Sequence, residues 1–84
     1  MSNPSREELV EAINAASAAH HEYETNALRG ERDEQWAGWY AAYVLGRLGD
    51  FAAPSALTEL LSTTPGSDDW AASAAAHIEA AGAQ

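Results

Sequence analysis

Four of the chain's seven aromatic residues lie within eight consecutive positions, which places most of the bulky rings of a small protein in one segment. These four are Trp36, Trp39, Tyr40 and Tyr43. Each such ring can bury about 150–250 Å² of surface. A chain of 84 residues buries only about 60–65% of its unfolded surface, so its core is marginal. The segment is therefore expected either to form the centre of that core or to present a binding face.

The composition argues against several classes of function. The chain has no cysteine, which excludes disulfides, thiolate metal sites and thiol catalysis. It carries 13 acidic residues against four arginines and no lysine, a net charge of −9. This balance argues against binding to nucleic acid or to an anionic membrane, and it is compatible with a basic protein partner. Alanine-rich, lysine-free composition is typical of a bacterial genome of high GC content.

The location is expected to be cytoplasmic. No apolar run approaches the roughly 20 residues that a membrane-spanning helix needs. The first residues, from Met1 to Glu8, lack the basic and then apolar pattern of a signal peptide.

Periodic apolar positions predict four helices in a single domain spanning residues 1–84. The helices are expected at about residues 6–28, 34–48, 54–62 and 68–81. β-Branched residues are few and nowhere alternate with polar ones, so the signals of strands are missing. Short amphipathic helices with brief connections predict an all-α fold. We expect a compact four-helix domain, built as an antiparallel bundle or as two stacked helical hairpins.

Local signals mark the expected helix ends. Ser5 and Glu8 have the spacing of a capping box. Gly49 is expected to end the second helix. The other expected helix starts are Asp33 as a cap, Pro54 in a first turn, and Ser67 or Asp68 as a cap.

The second helix is expected to place most of its rings inward. Trp36 and Tyr40 are predicted to anchor the core, because they share one stripe of the helix with Tyr43, Val44 and Leu48. Trp39 lies about 90–100° around the helix from that stripe. It is therefore expected at an edge, where tryptophan often contributes to an interface.

Two groups of residues carry resemblances to known families. The first group is His20-His-Glu-Tyr-Glu24, Leu28-Arg-Gly30, Asp33-Glu-Gln-Trp36 and Trp39-Tyr-Ala-Ala-Tyr43. It resembles a family of small uncharacterised bacterial proteins with the pattern His-x-x-Tyr-Glu, Leu-x-Gly and Asp-Glu-x-Trp-x-x-Trp-Tyr-Ala-x-Tyr. The match covers roughly residues 19–45, and the resemblance implies no particular activity.

The second group is Val44-Leu-Gly-Arg-Leu-Gly-Asp50, Ala53-Pro54 and Leu57-x-x-Leu60-Leu61. It resembles the turn between two HEAT-like helical repeats. Only one such turn is present, whereas a solenoid needs about three repeats. A glycine-ended helix followed by a proline-started one gives the same pattern.

A candidate site involves two histidines. His20 and Glu24 are four residues apart, so their side chains share one helix face. If the first and fourth helices are neighbours, His77 can join them in a two-histidine, one-carboxylate set that suits iron, manganese or zinc. The alternative is a structural network, because a buried histidine beside a carboxylate or a tyrosine hydroxyl usually makes a satisfied hydrogen bond. We favour the structural network and assign no metal and no cofactor.

Catalytic motifs are missing, so an enzyme is the less favoured class. No serine lies in a nucleophile elbow, and no glycine-rich loop precedes a helix in phosphate-binding form. The leading hypothesis is a non-enzymatic helical binding module that self-associates, as a homo-oligomer, or docks on a protein partner, with Trp39 at the interface. The alternative is a small-ligand or metal-binding protein. Its pocket would be lined by His20, Glu24, Tyr40, Tyr43 and His77.

Overall fold

The fold is all-α, as the sequence predicts. A computed structural model describes residues 4–29, 35–66 and 68–82. Within these ranges there are four helices and no strand: α1 (Arg6–Asn26), α2 (Trp36–Leu48), α3 (Pro54–Ser62) and α4 (Trp70–Gly82). No helix in the described ranges has the length and apolar character needed to cross a membrane.

Local chemistry explains most of the helix ends. The Ser5 hydroxyl accepts a hydrogen bond from the Glu8 backbone N–H at 3.1 Å, and the Glu8 carboxylate accepts one from the Ser5 N–H at 2.9 Å. This is the predicted capping box. Gly49 follows the last residue of α2 and ends the helix with a φ of 90°. Pro54 is the first residue of α3, where its missing N–H is not needed.

One predicted cap, Asp68, is wrong and two others lie outside the described residues. The carboxylate of Asp69, rather than of Asp68, accepts the backbone N–H of Ala72 at 3.2 Å. Ala72 is the third residue of α4, which is the position that an N-cap side chain reaches. The predicted caps Asp33 and Ser67 lie outside the described residues.

The helices pack as a four-membered ring. α1 packs against α2 and α4, and α3 packs against the same two helices. An Arg6–Glu79 ion pair joins the start of α1 to the end of α4. An Arg47–Glu11 pair at 3.4 Å joins the end of α2 to the early part of α1. α1 is therefore antiparallel to both of its neighbours, and in the described ranges the diagonal pair α2 and α4 makes no close backbone contact.

Alanine makes up half of the buried core. The buried residues are Leu9, Ala12, Ile13, Ala16, Ala37, Ala41, Val44, Leu45, Leu57, Leu61, Ala71, Ala74, Ala75 and Ile78. Alanine side chains let the helix backbones approach one another, and the leucines and isoleucines fill the space between them. Leu9, Ile13, Leu57, Leu61 and Val44 are the largest fully buried side chains.

The prediction that Trp36 and Tyr40 anchor the centre of the core is wrong. Both are half-buried and pack against the rim of the core, while Ala37 and Ala41 of the same helix are buried. Of the predicted inward stripe of α2, only Val44 is buried. The alanines of α2 thus enter the core, and its rings pack around them at the margin.

Candidate functional site

All the tryptophans and tyrosines of the chain meet in one cluster with a histidine. Every ring in it has its centroid within 6.2 Å of another. We call this set the aromatic cluster; it consists of His20, Tyr23, Trp36, Trp39, Tyr40, Tyr43 and Trp70. It lies where the C-terminal part of α1 meets the N-terminal parts of α2 and α4. The cluster is therefore the most distinctive concentration of side chains in the described structure.

Three of these rings close one end of the bundle. Trp36, Tyr40 and Trp70 pack edge to face on one another, with centroids 5.5, 5.6 and 5.9 Å apart. They bridge α2 to α4, whose backbones are not neighbours. Such pairs contribute about 0.5–1.5 kcal/mol each beyond the area they bury.

The length of α3 explains why rings are needed there. α3 has nine residues and α2 has 13, so the two helices are about 13 and 20 Å long. α3 starts beside the C-terminal end of α2 and is shorter than α2. It therefore ends before the level of the N-terminal part of α2. The three rings fill the space that α3 leaves between α2 and α4.

The other three large rings form a stack at the seam between α1 and α2. Trp39 stacks on Tyr23 at 5.7 Å and 28°, and on Tyr43 at 5.6 Å and 14°. Tyr23 is 36% exposed and is the most exposed large apolar side chain of the described residues. Trp39 and Tyr43 are half-buried. These rings contribute to the packing of α1 against α2, but part of their surface faces solvent.

His20 lies between the two halves of the cluster. Its ring centroid is 5.0 Å from that of Trp39 and 5.2 Å from that of Tyr40. It is the only buried polar residue in the described ranges, and its Nδ1 lies 3.7 Å from a carboxylate oxygen of Glu24. In the same ranges no buried side-chain nitrogen or oxygen lacks a hydrogen-bond partner. This environment suits an imidazole that stabilises the packing of α1 on α2.

His77 occupies a different part of the molecule. Its Nε2 lies 3.1 Å from the hydroxyl oxygen of Thr63, which follows the last residue of α3. The Thr63 hydroxyl also lies 2.9 Å from the backbone carbonyl oxygen of Glu59. The contact between His77 and Thr63 ties α4 to the end of α3. His77 is half-buried, less than the burial expected from the sequence.

The candidate metal set is not assembled. His77 lies seven residues from Trp70, about 10 Å further along α4 than the aromatic cluster. No three histidine or acidic side chains within residues 4–29, 35–66 and 68–82 are placed to hold a metal ion. Of the five predicted pocket residues, the structure brings together His20, Glu24 and Tyr40. Tyr43 lies one ring further away, against Trp39.

The exposed side of α2 is a feature that the sequence patterns did not single out. We call it the outer face of α2, and it consists of Gly38, Trp39, Ala42, Tyr43 and Gly46. Gly38, Ala42 and Gly46 are exposed, beside the two half-buried rings. A Cβ atom placed on either glycine would have no other atom within 4 Å. The signal that could have revealed this face is the spacing of three small residues at every fourth position.

The outer face of α2 is also uncharged. The chain has 13 acidic residues, and none of them lies in α2. The one charged residue of this helix, Arg47, pairs with Glu11 of α1. A neutral surface bearing aromatic rings is thus set in a molecule whose net charge is −9.

Comparison of the chain with protein-family models, with curated proteins and with solved structures finds no match. The resemblances to the small bacterial family and to HEAT-like repeats therefore stay predictions. A proposal about function has to rest on the geometry of the aromatic cluster and of the outer face of α2.

Proposed function

We propose that the protein is a non-enzymatic helical binding module that associates with a second copy of itself through the outer face of α2 and the adjoining Tyr23. The observation that carries the proposal is the partly exposed stack that Tyr23 of α1 forms with Trp39 and Tyr43 of α2, the one helix of the described ranges without acidic residues. Tyrosine and tryptophan are enriched at the residues that dominate binding energy in protein interfaces. Charged residues are depleted at the centres of such interfaces.

Charge favours a second copy over a basic partner. A basic protein would be attracted to the acidic surface of the molecule, yet the outer face of α2 offers it no carboxylate. Two copies that meet through α2 bring no carboxylate of that helix against another, although Glu22 and Glu24 flank the adjoining Tyr23. The face that is least repelled by another copy is also the face that bears the exposed rings.

The association is expected to be reversible. A contact along α2 is about 20 Å long and about one helix diameter, 10–12 Å, wide. This is smaller than the interface of about 800 Å² per partner that is typical of stable complexes. We therefore expect a monomer–dimer equilibrium in the micromolar range rather than an obligate dimer.

Sedimentation velocity over a concentration series tests the proposal with a matched pair of variants. Ala42 and Ala18 are both exposed helix residues, and only Ala42 lies on the outer face of α2. The wild type is expected to sediment as an 8.9 kDa monomer at low concentration and as a dimer at high micromolar concentration. Ala42→Glu should remain monomeric, because it sets two carboxylates against each other. Ala18→Glu should behave as the wild type.

Two outcomes contradict the proposal. If the wild-type protein stays monomeric throughout the concentration series, the proposed self-association is wrong. Equal dimerisation of the two glutamate variants would place the interface elsewhere.

Ligand binding is the second candidate function, and one contact favours it. His20, Glu24 and Tyr40 meet in a half-enclosed aromatic setting, which could hold a small ligand at the seam of α1 and α2. Native mass spectrometry of the untagged protein tests this candidate, because a retained ligand or metal adds mass to the 8.9 kDa chain. A spectrum with the bare chain mass alone would argue against it.

A further inference from the structure

We infer that the fold is salt-responsive: its stability rises with ionic strength and is lowest in dilute buffer. The inference concerns the single chain and does not depend on the proposed self-association.

The first step is the charge that the chain cannot neutralise. It has 13 acidic residues, four arginines and no lysine. Even if every arginine neutralised one acidic residue, a net charge of −9 would remain. Two of the arginines form pairs between helices, Arg6 with Glu79 and Arg47 with Glu11. The excess of negative charge persists whichever pairs form.

The second step is the volume in which the fold holds this charge. The Cα radius of gyration is 12.4 Å, and the molecule measures 40 × 25 × 21 Å. An unfolded chain of this length has a radius of gyration of about 28 Å. Folding therefore brings the carboxylates closer together, and their mutual repulsion opposes it.

The third step compares these dimensions with the distance over which salt screens charge. The Debye length is about 30 Å at 0.01 M ionic strength, about 10 Å at 0.1 M and about 3 Å at 1 M. In the most dilute of these solutions it exceeds the two shorter dimensions of the molecule, so carboxylates on opposite sides repel each other. In the most concentrated one the repulsion is confined to immediate neighbours. Added salt therefore relieves a repulsion that is greater in the folded state than in the unfolded state.

The interactions that salt weakens are too few to reverse this trend. The Arg6 and Glu79 side chains are 62% and 37% exposed, and those of Arg47 and Glu11 are 44% and 76% exposed. Ion pairs as exposed as these contribute little to stability. The acidic residues in the first turn of α1 gain from the helix dipole, but that effect is confined to the turn. The long-range repulsion therefore decides the sign of the salt dependence.

The composition of the core makes the repulsion consequential. Half of the buried core residues are alanines, and the largest fully buried side chains are aliphatic. Alanine buries little apolar surface, so the core of this small domain leaves a narrow margin of stability. A repulsion that dilute buffer leaves unscreened is a large fraction of that margin.

Thermal unfolding followed by circular dichroism tests the inference on the natural chain. The melting temperature is expected to rise by at least about 4 °C between about 0.01 M and about 1 M sodium chloride. Potassium chloride should give the same rise, because screening depends on ionic strength and not on the identity of the cation. A rise with one cation alone would indicate a specific cation site. That result, or a melting temperature that stays constant or falls, overturns the inference.

Three variants at one position separate charge from the other effects of a substitution. Ser17 is exposed in the middle of α1, and no acidic residue or arginine lies three or four positions from it. Glutamate, glutamine and lysine have similar helix propensities. In dilute buffer Ser17→Lys should melt highest, Ser17→Gln next and Ser17→Glu lowest, and in about 1 M sodium chloride the three should converge. An order that persists in the concentrated salt, or that is missing in dilute buffer, contradicts the inference.

Dilution of the protein separates this inference from the proposed function. The rise in melting temperature is expected at protein concentrations at which sedimentation shows a monomer. A monomer that melts higher in salt supports the inference even if the protein never self-associates. A rise confined to concentrations that give a dimer would come from association, and it would overturn the inference while supporting the proposed function.

Discussion

The open space beside Gly38 and Gly46 predicts that the isolated monomer becomes more stable when both are replaced by alanine. A glycine in a helix interior costs about 0.5–1 kcal/mol relative to alanine. A Cβ atom at either position meets nothing within 4 Å, so no packing penalty offsets this gain. The two sites are eight residues, or about 12 Å, apart, and their effects should add. The double variant should therefore gain about 1–2 kcal/mol in the free energy of unfolding.

The gain is large enough to measure in a domain of this size. In a domain of 60–100 residues, each kcal/mol shifts the melting temperature by about 4–8 °C. Urea unfolding followed by tryptophan fluorescence and by far-UV circular dichroism gives the free energy. The measurement belongs well below the dissociation constant of the proposed dimer, so that a loss of dimer contacts does not enter the free energy.

Gly49 supplies the matched control. It ends α2 with φ 90° and ψ 171°, a backbone conformation that is essentially restricted to glycine. Gly49→Ala is therefore expected to cost about 1–3 kcal/mol, although a Cβ there also meets nothing within 4 Å. Replacing glycine by alanine should therefore raise the free energy of unfolding at positions 38 and 46 inside α2 and lower it at position 49, just after the helix. A double Gly38→Ala and Gly46→Ala variant that unfolds at lower urea than the wild type, at low concentration, would refute this reasoning.

Two further predictions concern the core and the buried histidine. Leu57 is fully buried, so Leu57→Ala should lower the free energy of unfolding by about 2–5 kcal/mol in urea titrations. Trp36→Ala should cost less than the 3–5 kcal/mol of a fully buried ring, because Trp36 lies at the rim of the core; a larger loss would restore it as a central anchor. His20→Gln should cost about 1–3 kcal/mol, the usual penalty for disturbing a buried hydrogen bond, with no change in metal content by native mass spectrometry. A stoichiometric metal lost from this variant would contradict the structural role.

Helix ends were predictable because their causes are local. The capping box needs only Ser5 and Glu8, and the end of α2 needs only Gly49 before Pro54. The start of α4 was predicted two residues early and its cap one residue early, since two neighbouring aspartates could each act as the cap. Which one does so depends on where the helix begins, and that is set by the packing of Trp70 on Trp36 and Tyr40.

Burial within α2 was not predictable from the helix pattern alone. The pattern correctly places Val44 inward, but it cannot tell whether the space beside the helix admits a ring or only a methyl group. That space depends on the neighbouring helices, and the buried alanines of α1 and α4 are part of what sets it. As a result Ala37 and Ala41 are buried and the neighbouring rings lie at the margin.

The helix pattern also could not predict how far along the bundle His77 lies. Its helix face follows from the spacing of apolar residues, and α1 and α4 are indeed neighbours. Because the two helices are antiparallel, however, the C-terminal part of α1 meets the N-terminal part of α4. His20 and His77 consequently lie at different levels, and His77 pairs with Thr63 instead.

The four rings of the aromatic segment lie on two sides of α2, and all four pack against the core. Trp36 and Tyr40 are required on the inner side, since α3 is too short to fill the end of the bundle and these rings reach Trp70. Trp39 and Tyr43 do not close that gap, and they lie beside glycines that the monomer leaves uncovered. A helix that needed only to complete the core could carry alanine and charged residues on its outer side. The neutral outer face of α2, with its rings and glycines, is the surface on which the proposed self-association depends.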